Sequence, residues 1–200
     1  MPVTLQFLWA LTGLLLTIGS TFLQPALVVP LFSQSNRIII EPISVTMQIG
    51  AVLLTGCMGG RNAAFLSQLS YVLLGLSGFS VFYQGGGLGY LKLPSFGYLL
   101  GFIVGGWVCG LFAFARPGQG WLTSFPINSI ERITISCLMG LIAIHTVGII
   151  YLLVSQFGNW SVIQQALWQY SVQMLPGQFF VICATVVLSF LLRRLLLYRN

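Results

Sequence analysis

Apolar residues along the chain fall into six runs, at about 5–31, 43–58, 63–82, 96–115, 133–154 and 176–192. A helix crossing the hydrocarbon of a bilayer takes roughly 20 predominantly apolar residues. The pattern therefore predicts an all-α protein: one integral membrane domain over residues 1–200 with six transmembrane helices. The first run lacks a basic leader and is too long for a signal-peptide core, so it reads as a retained helix. Pro25 and Pro30 are expected to bend or end it. Between the runs lie a polar loop, Ser33-Gln34-Ser35-Asn36-Arg37, and a tight turn, Gly59-Gly60-Arg61-Asn62. A glycine-rich loop, Gln84-Gly85-Gly86-Gly87-Leu88-Gly89, and the stop Arg116-Pro117-Gly118 follow, and a more polar, Trp-bearing stretch covers 155–173. Small residues recur four apart (Gly56 with Gly60, Gly101 with Gly105, Gly106 with Gly110), which in lipid favours close helix packing.

Composition narrows the class. Of 200 residues, 57% are hydrophobic and 5% charged, against about 25% charged in soluble domains. A soluble enzyme, a disordered chain and a disulfide-stapled secreted domain are thereby excluded. The net charge of +6 does not indicate nucleic acid, because the cations stand singly between apolar runs and form no basic face. They orient the chain instead. With both termini in the cytoplasm, Arg61, Arg116, Arg132, Arg193, Arg194 and Arg199 lie inside, and only Arg37 and Lys92 lie outside, as the positive-inside rule requires. The expected location is the cell (inner) membrane, in contact with lipid.

Enzyme chemistry finds no residues to carry it. The chain has no Asp and no His-Glu-x-x-His, which removes aspartyl intramembrane proteolysis and a zinc protease site. Gly87-x-Gly89 lacks the third glycine of a dinucleotide site, and no Gly-Lys-Ser/Thr completes a phosphate loop. Cys57, Cys109, Cys137 and Cys183 are far apart in sequence without a Cys-x-x-Cys pair, so they read as small apolar packing residues. His145, alone in the fifth run, reads as a neutral hydrogen-bonded packing residue. The expectation is a protein that is not an enzyme, with no cofactor and no metal.

What remains is a polar cluster at the outer face. Glycines let backbone groups approach a small ligand, and irregular backbone at membrane depth is tolerated where it lines a cavity. The starts of the second and sixth helices and the glycine loop bring Ser44, Thr46, Gln48, Gln84, Lys92 and Gln178 together, with Tyr83, Tyr90 and Tyr98 nearby. Candidate ligand-binding residues are Gln48, Gln84, Gly85, Gly86, Gly87, Gly89, Tyr90, Lys92, Tyr98 and Gln178. On these residues alone, an ordinary interfacial belt of Tyr, Trp and Lys remains an open alternative.

Pro42-Ile43-Ser44-Val45-Thr46-Met47-Gln48 resembles the Pro-Val-Pro-x-Thr-x-Gln element of the BioY family, the biotin-binding S components of energy-coupling-factor (ECF) transporters. Val52-Leu53-Leu54-Thr55-Gly56, Tyr71-Val72-Leu73-Leu74-Gly75 and Gly78-Phe79-Ser80-Val81-Phe82 resemble further family segments in the same order. The densest match is Gly85-Gly86-Gly87-Leu88-Gly89 with Pro94-Ser95-Phe96-Gly97-Tyr98-Leu99-Leu100-Gly101-Phe102. The resemblance covers roughly 42–110, and Pro176-Gly177 opens the last helix as in the family.

It implies a six-helix subunit that captures biotin from outside and works with a transmembrane coupling subunit and ABC-type ATPases. A different vitamin or small metabolite, or a structural role without transport, are the alternatives. Family members generally place Asp after Pro-Gly and Lys three residues later; here Gln178 and Val181 stand there. An arginine of the family's glycine loop is replaced by Gly87 or Leu88. Lys92 then becomes the candidate for biotin's carboxylate and Gln178 for its ureido ring. The docking seam of small residues that the family carries on its first helix is reduced here to Ala10, Gly13 and Thr17.

Overall fold

The computed structural model describes residues 2–23, 26–32, 38–44, 47–83, 85–115 and 125–196. Its order is α1 (Val3–Thr21), β1 (Ala26–Phe32), β2 (Ile38–Ser44), α2 (Gln48–Leu76), a 3-10 turn (Leu88–Lys92), α3 (Phe96–Ala113), α4 (Ile130–Ser155), α5 (Trp160–Leu167), a π-helical turn (Trp168–Val172) and α6 (Leu175–Leu196). Among the described residues, five helical segments are long and apolar enough to cross a membrane.

The expected helix bounds change in the first three runs. The run at 5–31 is not one helix: α1 stops at Thr21, and β1 pairs antiparallel with β2, from Ala26 opposite Ser44 to Phe32 opposite Ile38. The fold is helical, as expected, with one two-stranded ribbon between α1 and α2. Hydropathy does not separate a buried strand from a helix, and the β-branched residues Val28, Val29, Ile38, Ile39 and Ile40 favour the extended form. Pro30 and Pro42 are compatible with it because each strand of a two-stranded ribbon has an unpaired edge. The second run likewise starts as a helix only at Gln48, and the third ends at Leu76 rather than 82.

The tight turn expected at 59–62 is present inside α2. Gly60 has φ 79° and ψ −180°, a left-handed-side conformation open to glycine, and the two halves fold back on each other. Gln48 near one end bonds to Tyr71 near the other, and Gly13 of α1 lies against both Thr55 and Ser67. At 1.5 Å per residue the halves, 48–59 and 61–76, measure roughly 18 and 24 Å.

Close approach explains the small-residue pairs. A Cβ on Gly101 would stand 2.6 Å from the Ile144 carbonyl oxygen, so α3 and α4 pack backbone against backbone there. On α1 the Ala10, Gly13 and Thr17 face is buried against α2. That face is thus engaged within the chain, while Leu8, Leu11 and Leu15 are exposed.

At the Gly60 end two arginines are buried. Arg193 donates from Nε to the Cys57 carbonyl (3.0 Å) and from Nη1 to the Ile127 carbonyl (2.5 Å), and its guanidinium lies over the Phe114 ring at 4.6 Å. Arg132 donates to the carbonyls of Phe112, Phe125 and Ala115. The Cys57 carbonyl sits where α2 breaks, those of Phe112 and Ala115 where α3 ends, and those of Phe125 and Ile127 in the segment before α4, all places where regular helical donors run out. Ser129 caps α4 by accepting from the Arg132 amide at 3.3 Å. Asn62 bonds to Gln6, so the start of α1 and the end of α6 meet the same turn.

Arg193→Leu is expected to destabilise the protein by about 3 kcal/mol, since it strips charged donors from buried carbonyls. Arg194→Ala, at an exposed neighbour, should leave stability unchanged. Thermal unfolding of the two variants in detergent makes the comparison.

Candidate ligand-binding site

At the opposite end the helices part around a cavity of about 320 Å³, within the range of small-molecule sites. Its wall begins with the loop after α2. Phe82 and Gly85 exchange backbone hydrogen bonds of 3.0 Å, closing a tight turn. The Gly87 amide then donates to the Gly75 carbonyl at 2.7 Å, which seals the last turn of α2. Gly86 lies so close that a Cβ would stand 2.9 Å from the Gly75 carbonyl oxygen and nearer still to that of Phe79. Gly75 in turn leaves room for the Phe82 ring. The loop thereby holds three rings in contact: Tyr71 with Phe82 at 5.3 Å, edge-on, and Phe82 with Tyr90 at 4.6 Å. Tyr151 of α4 donates to the Leu91 carbonyl and anchors the same segment.

Two polar groups face the cavity from separate networks. Gln48 is buried and donates from Nε2 to Thr21 Oγ1 (2.6 Å) and to the Tyr71 hydroxyl (2.8 Å), which donates onward to the Val81 carbonyl (3.1 Å). Its Oε1 has no protein partner among the described residues and remains an acceptor. Gln178, on α6, is held by His145: Nε2 of the ring lies 2.8 Å from Gln178 Oε1. With the proton on that nitrogen, Nδ1 accepts from Ser171 Oγ (3.2 Å), which accepts from the Tyr98 hydroxyl (2.7 Å). The chain of bonds fixes one tautomer and leaves the Gln178 amide NH₂ as a donor. The π-helical turn supplies Ser171 to this network and Gln169 and Tyr170 to the wall, a known use of such irregular turns.

The expected site residues separate into two groups. Gln48, Tyr90, Tyr98 and Gln178 line the cavity, as does Tyr83. Gly85, Gly86, Gly87, Gly89 and Lys92 are not among its lining residues. The glycines shape the loop that carries Phe82 and Tyr90, and Lys92 is exposed at the end of the 3-10 turn. Gln84 and Thr46 lie outside the described residues, as does the side chain of Ser44. Val181 is buried against Gly50 instead of facing the cavity.

Sequence reasoning missed Tyr71, Ser171, Tyr170 and Met174, and gave His145 no role at the site. Only the pairing of a lone intramembrane His with a Gln on another helix hinted at the network. Among the described residues that line it, none carries a formal charge, so this part of the wall suits a flat, neutral polar group flanked by apolar atoms.

Gly86→Ala is expected to destabilise by about 1–3 kcal/mol, the usual range for overpacking, because the new methyl meets two backbone carbonyls. Gly89→Ala, with nothing within 4 Å of the added carbon, should be neutral in the same melting experiment.

Comparison with known proteins gives the fold a family. Residues 21–198 match the model of the BioY family. A probable biotin transporter BioY of Lysinibacillus sphaericus is 39% identical over 119 residues, covering 56% of this chain and 53% of that protein. An uncharacterized 21.2 kDa protein of Cyanophora paradoxa is 28% identical over 201 residues, covering 98% of this chain and all of the relative. Alignment to the named transporter thus spans about half of its length. Among solved structures, the S-component for biotin from an ECF-type ABC transporter superposes with a TM-score of 0.69 over 97% of this chain and 95% of that one, at 21% identity. The match over nearly the whole chain, on a multi-helix membrane fold with a cavity at one end, places this protein in the BioY family.

Proposed function

We propose that this protein is the substrate-binding subunit of a vitamin uptake transporter, which captures biotin at the outer face of the cell membrane. Membership of a family whose named relatives are biotin transporters supports the reading. The observation that carries it is the pairing of a free acceptor on Gln48 with a free donor on Gln178 across one neutral cavity. A ureido ring offers the complementary set, N–H groups for Gln48 and a carbonyl for Gln178. The aromatic and Met174 wall suits the fused ring and the aliphatic chain. Lys92, two residues beyond Tyr90 and exposed, is the cation for the carboxylate at the mouth.

The six-crossing topology belongs to the same proposal. Counting the halves of α2 separately gives six segments, and the start of α1 and the end of α6 meet at the Gly60 turn. Arg61, Arg132, Arg193 and Arg194 gather there, which fits a cytoplasmic face; Lys92 lies at the other end. The chain carries no nucleotide motif, so release inside the cell falls to a transmembrane coupling subunit and ABC-type ATPases. Because α1 uses its small face against α2, its exposed Leu8, Leu11 and Leu15 face is the one left for such a partner. A neutral metabolite is the second reading, favoured by the uncharged wall and by Gln178 and Val181 at the positions of the family's Asp and Lys.

Isothermal titration of the detergent-purified protein tests the reading. Biotin should bind saturably, with Kd below tens of micromolar, roughly −6 kcal/mol. Gln178→Leu should weaken binding up to about tenfold, as loss of one neutral hydrogen bond predicts. Lys92→Ala should weaken biotin more than its amide; equal losses would remove the carboxylate role. No saturable biotin binding alongside stabilisation by another vitamin would favour the neutral-ligand reading.

A further inference from the structure

Between the cavity and the Gly60 turn, three thiols from three helices meet. Cys57 of α2, Cys109 of α3 and Cys137 of α4 are all buried. Cys57 Sγ lies 3.6 Å from each of the other two, and all three sulfurs fall within 4.8 Å of one another. Three sulfurs bound to one soft cation at about 2.3 Å stand about 4.0 Å apart in a trigonal arrangement. The thiols are therefore spaced for a common ion with shifts of a few tenths of an ångström.

Charge gives a second, independent reason. Arg193 is fully buried beside this cluster and donates to the Cys57 carbonyl. Among the described residues it meets carbonyl oxygens and the Phe114 ring, and no carboxylate. A buried cation is stabilised by a neighbouring anion, and the cysteines are the groups beside it that become anionic on binding a metal. Three thiolates on a divalent soft ion carry a net −1, which one guanidinium balances. Two thiolates and one thiol on a monovalent soft ion give the same sum. One turn before Arg193, the buried Ser189 hydroxyl lies beside the Cys57 thiol.

The geometry points to a binding site for one soft, thiophilic d¹⁰ metal ion at Cys57, Cys109 and Cys137, with Arg193 as its counter-charge. Binding releases the thiol protons and involves no electron transfer. The ion would tie α2, α3 and α4 together in the half of the bundle away from the cavity, independently of what the cavity holds. In the plainer alternative the three cysteines are small packing residues that bind nothing.

Cadmium is the probe. The full chain, purified in detergent, reduced with a phosphine and freed of metal, is titrated with Cd²⁺. The expected result is a thiolate-to-cadmium absorption band that saturates at one ion per chain, with a melting temperature that rises with free Cd²⁺. Cys57→Ala should abolish the band and lower affinity at least tenfold. Cys183→Ala, at an exposed cysteine on α6, should change neither. X-ray absorption of the cadmium-loaded wild type should count three sulfur neighbours, a readout that needs no variant to fold. Absence of a saturable band on folded wild type, a band that survives Cys57→Ala or depends on Cys183, or coordination by oxygen alone would overturn the site.

Discussion

A carbonyl left without a donor inside an apolar protein has no water to turn to, and leaving it so costs several kcal/mol in hydrocarbon. This chain breaks α2 at Gly60 and ends α3 nearby, so several such carbonyls converge at one end of the bundle. Arg193 and Arg132 answer them, each reaching backbone oxygens on more than one element. Guanidinium suits the task because its five donors fan out from one plane. The same contacts join α2, α3, α4 and α6, so the helices that wall the cavity at the far end are registered by bonds made at the near end. Two of the chain's few cations thus hold helix termini by their geometry.

At the far end the same constraint is met with neutral groups, and the result is a cavity rather than a plug. The Gly87 amide closes α2, the ribbon of β1 and β2 pairs its own backbone, and Tyr151 reaches the loop carbonyl of Leu91. Gln48 and Gln178 have one side of each amide occupied by protein, Gln48 through Thr21 and Tyr71, Gln178 through His145. Each therefore presents its other side in a fixed orientation. A ligand that meets both encounters groups that have already lost their rotational freedom, which lowers the cost of ordering them on binding.

The sequence made the membrane class legible through the scarcity of charge, and the Gly60 turn and the cavity glutamines through polar residues interrupting apolar runs. The ribbon at 26–44 was hidden because a hydropathy run carries no period that separates a strand from a helix; its β-branched residues and prolines were the available signal. A glycine loop in sequence is compatible both with a ligand contact and with close backbone packing. The distances from Gly86 to Phe79 and Gly75 show close backbone packing at that position. His145 and Ser171 were invisible as a pair, since their contact depends on a π-helical turn that only the folded chain defines. The cysteines present the same problem: positions 57, 109 and 137 have no local spacing, yet three close-packed helices bring them together.

The most direct test of the binding role is a crystal structure of the protein grown with biotin. Density for the ureido ring should lie between Gln48 and Gln178, with its carbonyl within hydrogen-bond distance of the Gln178 amide nitrogen. Biotin bound elsewhere, or Gln178 turned away from a ligand in that cavity, would contradict it.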